Sequence, residues 1–480
     1  MHSRRALLRA CGAAGVGAAA ALLSACGASS AATTNTLPTA ASSSAASSPS
    51  RASAATSSVA ASATGSTAPA SPSSSQAAQP AAAPGELTFW MMGDNTDQHY
   101  QAWTQRIKDF ITANPKTPVQ LVTGTYAGVN QKLPAVVAAG TPPNVSEQDR
   151  YTVAAGAAQG LMQDISGRAS AAGLTGADQQ PWAWQEVSIQ GKLYGLPAET
   201  DSRMIFVNVT HLQQAGLPTT APKTLDEYVQ VASQLNKKSG DTYQQLGFIP
   251  WYDNWGMYGW GWLFGGDFYD AKNNRATLDD PKILASLEWL LGQAQKIGYQ
   301  PVQDFVKIHS AQGNLFTEQV LSTYYQASAS IKTYMKTQGL EWAAWAPPPP
   351  QGMDHTSTWS GGFCVVLPSG AKNPDASFEL MRYLTDAKAQ LLEAQTGLSM
   401  PTIKSVAADP FWKTVDPRVK QFVDMLPFSH SRPAVKQINI MTKELGDARD
   451  LVLQGKKTPA EALQEANQRV NLAIQENRAS

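Results

Sequence analysis

Hydrophobic positions along this chain follow two periods. Leu87-Thr88-Phe89-Trp90 and Val119-Gln120-Leu121-Val122 are short apolar runs that predict strands, and Arg203 to Asn208 and Phe363 to Leu367 predict two more. Elsewhere the period lengthens to that of a helix. Ile283, Leu284, Leu287, Leu290 and Leu291 fall on one face of a segment that Asp280-Pro281 starts and Gly298 ends. Thr224-Leu225-Asp226-Glu227 predicts a capping box, with Thr224 as N-cap and Glu227 reaching back. Asn373-Pro374 and Thr458-Pro459 repeat the cap-then-proline signature. Strands alternating with amphipathic helices predict α/β layers with mostly parallel sheets. No internal repeat is visible.

The first residues follow a different pattern. Arg4, Arg5 and Arg9 precede an apolar stretch from Gly12 to Leu23, and small residues follow, the order of a secretory signal. The stretch is shorter than the ~20 residues that span a bilayer. Leu22-Leu23-Ser24-Ala25-Cys26 resembles a bacterial lipobox, which implies cleavage before Cys26 and lipidation of its thiol. The bland alternative is a plain signal peptide with a chance cysteine. Ser3 to Arg9 also resembles a twin-arginine export signal, with Leu7 and Arg9 departing from the favoured Phe and Lys.

Residues 27 to 84 are almost wholly Ala, Ser, Thr and Pro, with Arg51 the single charge. Such a segment buries too little apolar surface to offset the entropy of ordering, so it reads as a disordered tether. A coil of this length reaches roughly 40 Å. The rest of the 480 residues is too long for one typical core, and two lobes are expected. Thirty-seven basic residues balance 37 acidic ones, so no nucleic-acid partner is expected. Of three cysteines, Cys11 leaves with the signal, Cys26 takes lipid and Cys364 stands alone, which excludes a disulfide framework.

Three stretches carry a family resemblance. Gly191 to Asp201 with Met204 to Asn208 is the first. Gly361-Gly362-Phe363 with Val365 to Pro368, Lys372-Asn373-Pro374 and Gly397 to Pro401 is the second. Thr458 to Leu463 is the third. Together they resemble the extracellular solute-binding proteins of sugar ABC importers, the group of the maltose- and glycerol-phosphate-binding proteins. The resemblance implies a two-lobe periplasmic-binding-protein-like fold, with hinge crossings near Glu199-Thr200, Cys364-Val365 and Pro401. It places residues 1–25 as signal, 26–84 as tether, 85–199 with 365–401 as the first lobe, and 200–364 with 402–480 as the second. It also implies a monomeric, lipid-anchored binding protein whose partners are a small-molecule ligand, a mono- or oligosaccharide, and an ABC permease.

A sugar site needs aromatic planes for C–H faces and polar side chains for hydroxyls. The resemblance places Trp251, Asp253 and Trp255, in the densest aromatic run, at the ligand, with filling of the second lobe's core as the alternative. Trp260 and Trp262, among glycines, read as core. The first strand leads into Asp94 and Asn95, on a loop expected to face the cleft. Asp149-Arg150 resembles the family's Asp-Arg, with a solvated ion pair as the alternative. Asp201 is similarly placed, while Arg203 reads either as a site residue or as a buried lobe partner. Residues 316–331 resemble a motif from which this chain departs, with Gln319, Ala327 and Ala329 in place of Gly, Gly and Trp. Tyr324, Tyr325 or Gln326 is then left for other work, Trp359-Ser360-Gly361 is the candidate to compensate for the missing Trp, and Arg432 is a candidate to reach the cleft.

Gly259-x-Gly261-x-x-x-Gly265 lacks the Lys-Ser/Thr ending of a phosphate loop. No His-Glu-x-x-His, Gly-x-Ser-x-Gly or Cys/His metal spacing occurs, and no cofactor or metal is expected. A non-sugar solute, such as a phosphorylated polyol or organic anion, and an extracellular glycan hydrolase remain the alternatives. An anion demands at least two cleft cations, for which only Arg150, Arg203 and Arg432 are candidates. Neutral carbohydrate therefore leads.

Overall fold

A computed structural model describes residues 85–94, 98–252, 254–354 and 356–478. The signal, Cys26, the tether, Asn95 and Asp253 lie outside the described residues. Five strands form one sheet in the spatial order Val119–Gly124, Leu87–Met92, Val145–Asp149, Phe363–Val366 and Gly195–Pro197. Leu87, Phe89 and Met91 point to one face and join Trp103, Val145, Val365 and Leu384 in a core. Trp90 and Met92 point to the other and pack on Val129. That two-sided burial explains the unbroken apolar run in the first strand. Helix Gln98–Ala113 packs on helices Pro374–Thr385 and Ala387–Gly397.

A second, three-stranded sheet has Arg203–Asn208 in the middle, between Thr323–Ala327 and Trp342–Trp345. Its two faces feed two cores. Ile205, Val207, Tyr325 and Trp345 pack with helices Gly256–Leu263, Pro281–Ile297, Ile438–Leu453 and Pro459–Gln475. Met204, Phe206, Tyr324 and Trp342 face the other core.

The expectation of mostly parallel sheets holds only in part. The first strand is parallel to both its neighbours, but Phe363–Val366 is antiparallel to both of its own. All pairings in the three-stranded sheet are antiparallel. Strand–helix alternation does not report direction when a strand such as Phe363–Val366 joins its sheet only after the chain has built the three-stranded sheet.

The helix starts behave mostly as read. Asp280 accepts from the Lys282 N–H at 2.8 Å, and Thr458 with Glu461 forms a complete capping box. Thr224 accepts from the Glu227 N–H at 3.2 Å. The Glu227 carboxylate, however, accepts from the Lys223 N–H at 2.8 Å instead of the cap residue's own. Asn373 starts its helix from a left-handed conformation, φ 52°, without a side-chain cap. Among the described residues no helix is long and apolar enough to cross a membrane.

Candidate ligand-binding cleft

Three passages of chain meet between the two sheets and hold one another. Thr200 and Met400 form a two-way backbone bridge, with Thr200 N–H donating to Met400 O at 2.8 Å. Thr200 Oγ1 donates to Gly361 O at 2.7 Å, and Gly361 N–H donates to Asp201 Oδ1 at 2.7 Å. Phe363 N–H donates to Glu199 Oε1 at 2.8 Å. Gly362, at φ 126°, takes a conformation that disfavours a side chain, and a Cβ there would lie 2.6 Å from Arg150 Nη1.

A cavity of about 270 Å³ opens above this knot. Glu199, Thr200, Asp201, Gly361, Gly362, Phe363, Leu398 and Ser399 form its floor, with Asp149 contributed by the five-stranded sheet. Arg203, Asn254, Ser328, Ala329, Trp359 and Arg432 form the opposite wall. Leu398 ends helix Ala387–Gly397 at φ 58°, left-handed strain of a kind that collects at ligand sites.

The wall is a layered charge network. Arg203 Nη1 donates to Asp201 Oδ1 at 2.6 Å and to Trp359 O at 3.0 Å. Its Nε donates to Asn254 Oδ1 at 2.9 Å. The Arg203 guanidinium lies 3.3 Å from the Trp359 ring centroid, and that of Arg432 lies 5.3 Å from it. Arg432 faces Asp149 at 3.5 Å and Glu186 at 3.9 Å, and stacks over the Tyr151 ring at 3.8 Å. Burial pushes the carboxyls of Asp149 and Glu186 up, against the opposing pull of Arg150 and Arg432. Burial pushes Glu199 up to about 7. Behind it, His99 shares a 3.1 Å contact with Glu393. Burial works against the charged imidazole, but Glu393, joined by Glu199 and Glu147, outweighs it and raises His99 to about 10.

Of the residues singled out in the sequence, Asp149, Asp201, Trp359, Gly361 and Arg432 meet at the cavity. Several others do not. Arg150 is completely buried below the floor, neither a solvated ion pair nor a lining residue. Its Nε donates to Glu186 at 3.0 Å, its Nη1 to Glu199 O, and its Nη2 to Gly361 O and to Thr200 Oγ1. It ties two of the three passages together. Trp255 is completely buried, with its ring 4.9 Å from that of Tyr325 and 6.1 Å from that of Trp260. Glycines make this packing possible, since a Cβ on Gly259 would lie 2.5 Å from the Trp255 ring. Tyr325 belongs to the same core, and Trp251 leans on Tyr299 at its edge. Gln326 is buried on its strand, where its Oε1 accepts from the Ala327 N–H. Asp94 is exposed at the end of the first strand, away from the cavity lining. Trp260 and Trp262 are core, as read.

Arg203, read either as a site residue or as a buried partner, lines the cavity, and Glu199, Asn254, Ser328 and Ser399 do so without having been nominated as ligand residues. The available signal was position. Glu199 and Ser399 sit on segments read as crossings, and crossings make the floor. Among the described residues no cluster of His, Cys, Asp and Glu could hold a metal.

Residues 105–420 match a family described as bacterial extracellular solute-binding protein. Over 299 residues the chain is 22% identical to the galactooligosaccharide-binding protein of Bacillus subtilis (strain 168), covering 59% of this chain and 66% of that one, just under two thirds of its length. The structure of CpMnBP1 with mannotriose bound superposes with a TM-score of 0.69 at 22% identity, over 80% of this chain and 99% of the other. The cyclic α-maltosyl-1,6-maltose-binding protein from Arthrobacter globiformis gives 0.68 at 20% identity, over 82% and 99%. At these identities the superpositions establish the two-lobe fold. The relatives are binding proteins and not enzymes.

Proposed function

The chain belongs to the bacterial extracellular solute-binding protein family, and from that premise we propose that it captures a carbohydrate between its two lobes and delivers it to an ABC permease. The observation that carries this reading is the cavity at the lobe junction, where Asp149, Asp201, Arg203 and Arg432 converge on Trp359. Carboxylates accept from sugar hydroxyls and guanidiniums donate to them. Only a closed arrangement lets both walls touch one ligand, so ligand draws the lobes together by its differential affinity for that state. The sugars in the names of the relatives support the same class.

In this reading the mature chain begins at Cys26, lipidated and anchored outside the cytoplasm, and residues 26–84 tether the binding region. A thermal-shift screen against mono- and oligosaccharides, polyol phosphates and organic anions tests the ligand class. Ligand at a hundredfold excess over Kd adds about 2.7 kcal/mol of stability. Stabilisation by neutral sugars supports the reading, and stabilisation by anions alone refutes it. For the anchor, Cys26→Ala should release the protein from membranes or block its processing. Membrane partitioning and processing unchanged by the substitution would refute lipidation.

A further inference from the structure

We infer that the ligand is a compact neutral sugar, a mono- or disaccharide, and not a longer oligosaccharide or an acidic sugar. The inference rests on the carbohydrate reading above and narrows it by three independent observations.

The first is size. At about 270 Å³ the cavity falls just below the ~300–1,000 Å³ typical of small-molecule sites. The second is the scarcity of open aromatic faces. A chain of sugar rings offers a succession of flat C–H surfaces, and a site for it wants a succession of rings. Here the Trp359 ring carries the Arg203 guanidinium at 3.3 Å, and Arg432 lies 5.3 Å from its centroid. Trp255 and Tyr325 are sealed in the core. Ala329, an exposed residue of the lining, offers no plane. Phe363 is the other ring of the lining. Recognition therefore falls to polar groups around one small space.

The third observation is charge and hydrogen-bonding balance. Arg203 is matched by Asp201 at 2.6 Å, and Arg432 is faced by Asp149 and Glu186. Each guanidinium already faces a carboxylate, so neither brings an uncompensated charge to a ligand carboxylate or phosphate, which takes a bidentate or multiple charged contact. Ser399 Oγ, in the lining, has no hydrogen-bond partner, and Arg432 Nε and the buried Glu186 Oε1 behind it face each other at 3.9 Å, too far apart for a hydrogen bond. One is a donor, one an acceptor and one is both. Hydroxyl groups satisfy all three kinds, whereas a carboxylate or phosphate group satisfies only donors and meets the carboxylates of Asp149 and Asp201 in the lining.

The test is calorimetric titration of the purified full chain with glucose, mannose and galactose, with the di-, tri- and tetrasaccharides of each, and with glucuronate and glucose 6-phosphate. The expected result is that a mono- or disaccharide binds at least as tightly as its longer homologues, and each acid binds more weakly than its neutral parent. A tri- or tetrasaccharide binding about tenfold tighter than its disaccharide, or an acid binding tighter than glucose, overturns the inference while leaving the carbohydrate reading intact. If no sugar of any length or charge binds, the carbohydrate reading falls and this inference with it. Ser399→Ala places the ligand. It removes no internal hydrogen bond, so the melting temperature should hold while affinity for the best ligand drops about tenfold. Unchanged affinity in that variant overturns the assignment to this cavity.

Discussion

Replacing Trp255 by Ala distinguishes a core tryptophan from a ligand-stacking one, because the two roles move different observables. The ring is completely buried and packs against Tyr325 and Trp260. Loss of such a side chain costs about 3–5 kcal/mol, transfer and cavity together. If roughly 390 residues unfold as one unit, with an unfolding entropy near 2.1 cal/mol/K per residue, the melting temperature should fall by about 4–6 °C. If the second lobe melts alone, each kcal/mol is worth about 2–4 °C and the fall is larger. Ligand affinity should change little. The Trp255 carbonyl that accepts from Trp359 Nε1 at 3.0 Å belongs to the backbone and survives the substitution. Calorimetric melting and a ligand titration on the same preparation read both quantities. A melting temperature within about 1 °C of wild type, together with a hundredfold loss of affinity, about 2.7 kcal/mol, would refute the core assignment.

Arg150→Met should cost about 3–5 kcal/mol in chemical denaturation, because it leaves Glu186 buried without its 3.0 Å partner; a loss under about 1 kcal/mol would contradict the staple role. Gly362→Ala should destabilise by at least about 1–3 kcal/mol, since φ 126° is hostile to a side chain and the Cβ would press on Arg150 and on Glu199 O. Stability should also decline with rising pH. His99 is raised from 6.5 to about 10 on folding, so its contribution is full below about 6.5 and is lost as pH climbs to 10. Glu199 is raised from 4.5 to about 7, and a raised carboxyl likewise favours the folded state at low pH and loses that advantage between 4.5 and 7. His99→Gln should flatten the slope between pH 7 and 10 in urea melts; an unaltered slope would show that another group carries it.

Much of the fold was legible because it is written in local patterns. The strand at Leu87, the helix from Pro281 to Ile297 and the Thr458 cap each follow from residues close in sequence. Strand direction was not, since it depends on when along the chain a strand joins its sheet. In the site, the residues on the chain passages were readable by position, as Asp201 and Gly361 show. Trp251 and Trp255 were misread for a physical reason. Trp255 lies in a run of rings and glycines, a composition that serves equally for stacking on a sugar and for close packing of a helix. Only the burial of the ring decides, and it decides for the core.

Arg150 illustrates a different limit. Asp149 and Arg150 are adjacent, so the sequence invites one role for both. The strand ends at Asp149, and the chain turns into a short 3-10 helix beginning at Arg150. That turn sends one side chain to the cavity and the other beneath the floor. The carboxylate can then meet a ligand while the guanidinium spends its donors on Glu199 O, Thr200 Oγ1 and Gly361 O. The floor's hydrogen bonds to Arg150 are thus made from below and owe nothing to a ligand. The orphaned atoms at or beside the cavity, Ser399 Oγ and Arg432 Nε, are the converse. In the proposed function a captured ligand adds hydrogen bonds at these atoms, and differential affinity for a closed state comes from added contacts of that kind.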